Sequence, residues 1–247
     1  MKILNIIQCT NLGGMERASV RLMKSMQERG CDFSLLSLHP LGALKGDLDR
    51  ANIPSVGLNY WRTRGIGVIR QIANQLRKER DAEIIMTGPH LAAMLGMKLA
   101  RRRGKFLAVH YHHQGVKSPA VWRFLYRVAL DRFDWVTFPS DFVRDEACAL
   151  YPPLAARSLT IRYPNDPPPP ITRDERAAAR RAWNLADDAF VVGNGGWLIH
   201  RKRFDIFLRV AALVAAAEPK AHFLIAGGGE DEGKLKLLAA ELGIADR

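Results

Sequence analysis

The sequence is poor in cysteine and in long apolar runs. Its 247 residues contain three cysteines, Cys9, Cys31 and Cys148, which lie far apart and form no C-x-x-C pair. This count and spacing argue against a disulfide framework and a zinc ribbon, and we expect a reducing, cytoplasmic location. The longest apolar stretches, such as 210–217, are much too short to cross a bilayer. The apolar start of the chain is brief and precedes no small-residue cleavage site, so no secretory signal is predicted.

Acidic residues are also scarce relative to basic ones. The chain has 37 Lys and Arg against 25 Asp and Glu, a net charge of +12, and an isoelectric point near 10.0. The densest basic cluster is 101–105, and further basic residues lie along the helical stretch 62–80. Anionic lipid surfaces and nucleotide phosphates are candidate partners, and a solvated helix face is the alternative. Basic residues are not interleaved with aromatics in a recognised module, so nucleic acid is not predicted as a partner.

What the sequence does contain is a regular alternation of short apolar runs and amphipathic stretches. Strands are predicted at 2–9, 32–38, 54–58, 83–87, 106–110, 135–139 and 159–163. Helices are predicted between them at 16–29, 66–79, 91–102, 121–131 and 141–150. This order predicts an α/β fold with a parallel sheet covered on both faces.

A proline-rich segment interrupts that pattern. Four consecutive prolines end the run 164–170, and such a segment favours an extended linker. We therefore predict two domains, 1–165 and 166–247. The second begins with a charged helix at 173–183 and continues with strand 190–192, helix 204–217, strand 222–226 and helix 232–242. Two strands are fewer than the roughly five to six of an average sheet, so this domain is expected to be incomplete in the chain.

Glycine-bearing loops follow a predicted strand in each domain. The first contains Gly13 and Gly14, and the second is the run 193–196. Glycine lets the backbone approach a ligand, and the helix start beyond such a loop presents free N–H groups to a phosphate. Strand-to-helix turns also use glycine for structural reasons alone. The pairing of two such loops predicts a ligand held between two domains.

Several segments together resemble the retaining GT-B glycosyltransferases of the family 4 type. They are NLGGMERASVRLMKSMQERG, HYHHQG, FPSDFVRDEA, RYPND, GNGGWLIHRKRFDIFL and FLIAGGGEDEGKLKLLAAELGIADR. The resemblance covers the whole chain and is most specific at 13–17 and 223–247. It implies two Rossmann-like, doubly wound domains that face each other across a cleft. The N-terminal domain would take a saccharide or lipid-linked acceptor, and the C-terminal domain a nucleotide-diphosphate sugar.

The resemblance also implies individual roles. Lys202 matches the lysine that neutralises the leaving diphosphate, where negative charge develops during the reaction; a surface lysine at a helix start is the alternative. His112 is expected to position the reacting sugar and counts with Lys202 as catalytic. Glu16 and His110 are assigned to the acceptor side. The glycines expected to face the donor are Gly13, Gly14, Gly196, Gly227 and Gly229.

The resemblance implies no metal and no cofactor, with the nucleotide sugar as co-substrate. His110, His112 and His113 could share a metal, but no Cys, Asp or Glu flanks them at ligand spacing. The sequence Asp47-Leu48-Asp49 looks like a metal-binding D-x-D motif. It lies in a helical stretch, where a solvated helix face is the better interpretation.

Three departures from the family pattern limit these expectations. Trp197 stands where a diphosphate-binding arginine is usual, and Arg203 replaces a glycine. The family's pair of donor-holding glutamates is absent, so we expect a C-terminally truncated member with negligible transfer by this chain alone. A GT-B sugar-nucleotide epimerase and a non-catalytic nucleotide- or membrane-surface-binding module remain as alternatives. The expected location is cytoplasmic and peripheral on the inner face of the membrane.

Overall fold

The computed structural model describes residues 1–60, 65–110, 118–162 and 168–247. The chain divides into two compact units, Met1–Asp166 and Pro167–Arg247. Both units combine parallel strands with helices, which confirms the α/β fold class predicted from the alternating pattern.

The first unit contains, in the described residues, a seven-stranded parallel sheet. Its strands are β1 (Lys2–Ile7), β2 (Asp32–Ser37), β3 (Ser55–Gly57), β4 (Glu83–Thr87), β5 (Gly104–Ala108), β6 (Phe133–Phe138) and β7 (Ser158–Thr160). They lie in the order β3-β2-β1-β4-β5-β6-β7, and every neighbouring pair is parallel. The strand order reverses between β1 and β4, which is where doubly wound sheets bind ligands at their carboxyl ends.

Helices connect these strands on both faces of the sheet. They are α1 (Gly14–Gln27), α2 (Lys45–Arg50), α3 (Ile66–Lys78), α4 (Leu91–Leu99), α5 (Pro119–Arg132) and α6 (Asp141–Leu150), followed by a 3-10 turn at Pro152–Arg157. Right-handed crossovers place α1 and α2 on one face and α3 to α6 on the other.

Alternation along β1 separates the two cores of this unit. Leu4 and Ile6 pack with α3, α4 and α5 in one core, whereas Ile3 and Ile7 pack with α1 and α2 in the other. Each fully buried side chain of this kind stabilises the fold by about 1.5–3 kcal/mol relative to exposure. Because both faces of the central strands are apolar, they read in the sequence as nearly continuous hydrophobic runs.

Part of the sheet on the α1 side has a thinner cover. In the described residues, α1 and α2 pack on β1 and β2, whereas Ile85, Phe106 and Ala108 on β4 and β5 remain half-buried. These side chains line a cavity of about 230 Å³. The expectation of cover on both faces therefore holds for the α3–α6 side but only for part of the α1 side.

The second unit is smaller. It contains α7 (Arg173–Ala182), β8 (Phe190–Gly195), a 3-10 turn at His200–Lys202, α8 (Phe204–Ala217), β9 (Ala221–Ala226) and α9 (Glu232–Glu241). In its described residues β8 and β9 form a two-stranded parallel sheet. The core consists of Leu198, Phe204, Leu208, Ala211, Leu235 and Ile244.

The boundary of β8 corrects one prediction. Gly193 to Gly195 were expected in a loop, but they continue the strand and pair with Leu224 to Ala226. Backbone hydrogen bonds to β9 do not need side chains, so glycine does not end the strand here. Of the predicted loop 193–196, only Gly196 lies beyond the strand.

The longest described helices, α1, α5 and α8, have 14 residues each. None of the described helices combines the length and the apolar character needed to cross a bilayer.

Candidate functional site

Gly13 and Gly14 form the turn between β1 and α1. The Gly13 N–H donates to the Asn11 carbonyl at 2.9 Å, and the Gly13 carbonyl accepts from the Arg17 N–H at 3.0 Å. A Cβ on Gly13 would meet only the carboxylate end of the flexible Glu16 side chain, which can rotate away, so packing does not by itself require glycine at position 13. A Cβ on Gly14 would meet no atom within 4 Å. Nothing in the described chain requires glycine at position 14, and its backbone is open at the start of α1.

Glu16 holds the loop from the first turn of α1. Its carboxylate lies against Gly13 and accepts a 3.5 Å hydrogen bond from Cys9 Sγ. Burial raises the pKa of the Cys9 thiol, and the charge of Glu16 adds to the increase. Cys9 therefore stays protonated and donates at neutral pH. A carboxylate in the first turn is also favoured by the helix dipole.

A buried polar cluster fixes α1 to the sheet. Asn5 Nδ2 on β1 donates to Ser19 Oγ on α1 at 2.7 Å, and Thr87 Oγ1 on β4 donates to Asn5 Oδ1 at 3.1 Å. All three residues are buried. Sequence analysis did not single them out, although an asparagine inside the apolar run of β1 is a signal that could have found them. The cluster sets the position of α1 and so of the glycine turn at its start.

His110 lies just beyond the carboxyl end of β5. It is half-buried and lines the 230 Å³ cavity on the α1 side of the sheet. Burial lowers the pKa of His110 to about 4, so the imidazole is neutral at physiological pH. A neutral imidazole can hydrogen-bond a hydroxyl group but carries no charge toward it. His112 and His113 lie outside the described residues.

A second cleft opens at the carboxyl ends of β1 and β2. It has a volume of about 320 Å³, and its polar lining includes Gln8, His39, His90 and Tyr60. His39 contacts Tyr60 edge-on at 5.5 Å, and burial lowers the pKa of His39. Sequence analysis missed His39 and His90. The available signal was position, because each follows a strand within three residues.

Two abutting loops form the corresponding region of the second unit. Gly196 has φ +153°, a conformation that favours glycine. A side chain on Gly227 would collide with the Gly196 carbonyl, and one on Gly229 would collide with the Leu198 backbone. The loops are joined by a 2.9 Å bond from the Leu198 N–H to the Gly228 carbonyl. Loop packing therefore accounts for these three glycines, and their predicted contact with a donor stays a prediction.

Lys202 ends the 3-10 turn that precedes α8. Its side chain is exposed, and in the part of the chain that the structure describes no carboxylate lies within 4 Å of it. The next cation is already engaged, since Arg203 Nε and Nη2 bind Asp205 at 3.0 and 2.9 Å. This pairing lowers the pKa of Asp205 to about 2. Lys202 thus presents an uncompensated positive charge at this turn.

The backbone conformation at Arg203 shows why the family pattern has glycine at this position. Its φ of +53° and ψ of +42° are left-handed, the region that glycine adopts without strain. A glycine at this position would suit the turn, and arginine there is strained by about 1–2 kcal/mol.

The metal-binding potential of the described residues is low. Across 1–60, 65–110, 118–162 and 168–247, no three His, Cys, Asp or Glu side chains are grouped so that they could hold an ion. Asp47 and Asp49 lie on α2 and pair instead with Arg50 and Lys45, as expected of a solvated helix face.

Family models match both units. The model of glycosyltransferase family 4 matches residues 12–164, and that of the glycosyl transferases group 1 matches residues 175–247. The chain belongs to glycosyltransferase family 4. The resemblance noted in the sequence is thereby confirmed.

Curated relatives share this family assignment. The chain is 28% identical over 187 residues to a GDP-mannose-dependent alpha-(1-6)-phosphatidylinositol monomannoside mannosyltransferase from Mycolicibacterium smegmatis, covering 71% of this chain and 47% of that protein. It is 35% identical over 97 residues to a D-inositol 3-phosphate glycosyltransferase from Stackebrandtia nassauensis, covering 36% and 22% respectively. The chain thus spans about half the length, or less, of these relatives.

Solved structures show the same fold. HepE from Anabaena, crystallised with UDP-glucose, superposes with a TM-score of 0.79 at 19% identity, covering all of this chain and 67% of HepE. WaaG, a glycosyltransferase of lipopolysaccharide biosynthesis, gives a TM-score of 0.66 at 14% identity, covering 99% and 68%. These neighbours confirm the predicted GT-B fold and the prediction that this chain covers only part of it.

The described site residues of this family 4 chain are divided between the two units. In the first, Gly13, Gly14 and Glu16 lie together at the start of α1, and His110 lies at the end of β5. In the second, the glycines of the two abutting loops precede and follow Lys202 along the chain, with Lys202 in the adjoining turn.

Proposed function

We propose that this chain is the part of a retaining glycosyltransferase that binds the acceptor and the diphosphate of the donor. The proposed reaction moves a sugar from a nucleotide-diphosphate sugar to a saccharide or lipid-linked acceptor. The observation that carries the proposal is the family match over both units, 12–164 and 175–247.

Chemistry at the two loops supports a diphosphate donor. The open backbone of Gly14 lies at the N-terminus of α1, where N–H groups favour an anion. Lys202 offers an uncompensated charge. The Mycolicibacterium relative is named for GDP-mannose, and HepE was crystallised with UDP-glucose. A nucleotide-diphosphate sugar is the donor class that these names share.

In the proposed step, the bond between the anomeric carbon and the diphosphate oxygen breaks. An acceptor hydroxyl forms its new bond to that carbon on the same face, and its proton passes to the departing phosphate. Lys202 stabilises the negative charge that builds on the diphosphate. The proposed reaction uses no metal ion, as the resemblance implies.

Polar groups in the first unit suit a hydroxyl-bearing acceptor. His110 stays uncharged at pH 7, and Glu16 lies at the start of α1. The cleft with Gln8, His39 and His90 adds amide and imidazole groups that can bind hydroxyls.

We place the reaction in the cytoplasm, as the cysteine pattern led us to expect.

The test uses the protein expressed from the complete reading frame that encodes this chain. It is incubated with isotope-labelled UDP-glucose or GDP-mannose and a panel of saccharide and lipid-linked acceptors, and the products are separated. Label in an acceptor with an α-linkage supports the proposal. Label only in an isomerised nucleotide sugar would identify an epimerase, and binding without any product would identify a non-catalytic module; either result would overturn the proposal.

A further inference from the structure

Helices α3, α4 and α5 form a continuous outer layer on one side of the first unit. All three bury their inner faces in the same core, which includes Ile72, Met94 and Leu125. The layer is also joined at its edge, because Arg77 Nη2 on α3 donates to the Leu99 carbonyl on α4 at 3.0 Å. Their outward faces therefore make one surface, here called the α3–α5 surface.

The α3–α5 surface is basic and almost free of acid. Within the three helices the sole acidic residue is Asp131, in the last turn of α5. Six exposed cations point outward from them, and in the described residues none forms an ion pair. They are Arg70, Arg77, Lys78, Lys98, Arg123 and Arg127.

The same surface exposes large apolar side chains. Leu91, Leu95 and Leu99 are spaced four residues apart along α4 and are 37%, 37% and 45% exposed. Ile66 on α3 and Phe124 on α5 are 68% and 51% exposed. Single exposed apolar residues are ordinary. A stripe of leucines bordered by lysine and arginine is instead the pattern of a surface that lies in a membrane interface.

We propose that the α3–α5 surface docks on an anionic phospholipid bilayer, with the leucine stripe at the acyl boundary and the cations among the headgroups. Charge complementarity selects an anionic partner, and the leucine stripe favours lipid over nucleic acid, whose exposed phosphates offer it nothing apolar. Long basic side chains suit this geometry, because their stems cover apolar surface while their heads stay at the interface. The proposal does not depend on the proposed transfer reaction.

The charge component is tested by sedimentation of the 247-residue protein with vesicles of phosphatidylcholine, alone or mixed with phosphatidylglycerol. The variant Arg70→Gln/Lys98→Gln/Arg127→Gln removes one cation from each helix, and none of the three makes a hydrogen bond or ion pair among the described contacts. Each basic residue at such a surface raises the membrane partition coefficient about fivefold, so we expect the loss of three to weaken partition about hundredfold at low salt. Binding by the unaltered protein should weaken strongly as salt shortens the screening length.

A matched control separates this surface from net charge. Arg176→Gln/Arg181→Gln/Arg209→Gln makes the same change in charge on exposed positions of the second unit. The proposal predicts that this control binds nearly as the parent does. Equal weakening by both triple variants would overturn it, because the bilayer would then sense overall charge only.

The apolar component has its own variant and control. Ile66→Gln/Leu95→Gln should reduce partition by about tenfold or more, chiefly the part that persists at high salt. Leu213→Gln/Leu237→Gln, at sites 74% and 68% exposed in the second unit, should leave partition unchanged. Unchanged partition of the Ile66→Gln/Leu95→Gln variant would contradict the proposal. Equal partition of the unaltered protein onto neutral and anionic vesicles would also contradict it. So would displacement from vesicles by millimolar inorganic phosphate, or preferential binding of duplex DNA added as competitor.

Discussion

The two units are built by the same α/β rules but differ in how much of each sheet is buried. In the first unit β1 is buried at five of its six positions, and both of its faces pack against helices. In the second unit every residue of β8 is at least partly exposed, and Phe190 is 56% exposed. Apolar side chains are similarly abundant in the two units, so composition does not account for the difference in burial.

This difference bears on the candidate site. In the first unit, hydrogen bonds among Asn5, Ser19 and Thr87 fix α1, and with it the glycine turn, to a seven-stranded sheet. In the second unit, the glycine loops that follow β8 and β9 are joined to each other by backbone hydrogen bonds. We therefore expect the first unit to position groups rigidly and the second to depend on close glycine packing.

Native-state hydrogen exchange should show the largest difference between the two units. Amides of β1 and β4 should exchange at least about a thousandfold more slowly than those of β8 and β9, because local opening of the second unit exposes far less buried surface. Exchange followed by mass spectrometry on peptides from each unit measures this directly. Equal protection in the two units would show that the second is stabilised by something other than its own core.

Glycine substitutions distinguish packing from ligand access. Gly227→Ala should destabilise the second unit by about 1–3 kcal/mol, because its Cβ would collide with the Gly196 carbonyl. Gly14→Ala should leave stability unchanged or slightly higher, since its Cβ meets nothing and alanine favours helix. Thermal unfolding of both variants checks these signs.

Donor binding completes that test. If the Gly14 backbone faces the donor, Gly14→Ala should weaken UDP-glucose or GDP-mannose binding by about tenfold in titration calorimetry. Gly46→Ala, also an exposed glycine in a first helical turn, is the matched control and should not alter binding. Equal affinities for Gly14→Ala and Gly46→Ala would remove Gly14 from the donor site.

Acid should weaken the two units over different pH ranges. The pKa of His110 is about 4 in the fold and near 6.5 when unfolded, so the unfolded chain binds more protons between these values. Stability of the first unit should fall as pH drops from 6.5 to 4, by about 2–3 kcal/mol from this residue. Asp205, with a pKa of about 2 against 3.8, should instead lose its contribution below pH 4.

Denaturant unfolding at several pH values tests the histidine effect. His110→Gln should flatten the dependence of stability on pH between 6.5 and 4, although burial of His39 leaves a smaller slope of the same sign. An unchanged slope in His110→Gln would assign the effect to other groups.

The spacing of apolar residues predicted most of the strands and helices, because the central strands and the inner faces of the helices are buried. Both faces of β1 and β4 are apolar, so their runs were visible, and α8 begins and ends at the predicted residues. The strand β8 was cut short in the prediction, because backbone pairing through Gly193 to Gly195 leaves no side-chain pattern.

The candidate site was less accessible to sequence reasoning. His39 and His90 meet in one cleft only because parallel strands end at the same edge, a relation that strand order reveals and spacing does not. The reasons for Gly227 and Gly229 likewise lie in a neighbouring loop. Lys202 was found through the family resemblance, and the pairing of the neighbouring Arg203 with Asp205 could not be predicted from spacing.

In the proposed reaction, Lys202 stabilises the departing diphosphate. The most direct measurement is the turnover of Lys202→Ala with saturating donor, in the protein from the complete reading frame, beside Lys236→Ala as an exposed lysine already paired with Glu232. We predict a ten- to thousandfold lower turnover for Lys202→Ala, about the loss of one electrostatic donor, and parental turnover for Lys236→Ala. Parental turnover in Lys202→Ala, with donor binding intact, would show that Lys202 does not stabilise the leaving diphosphate.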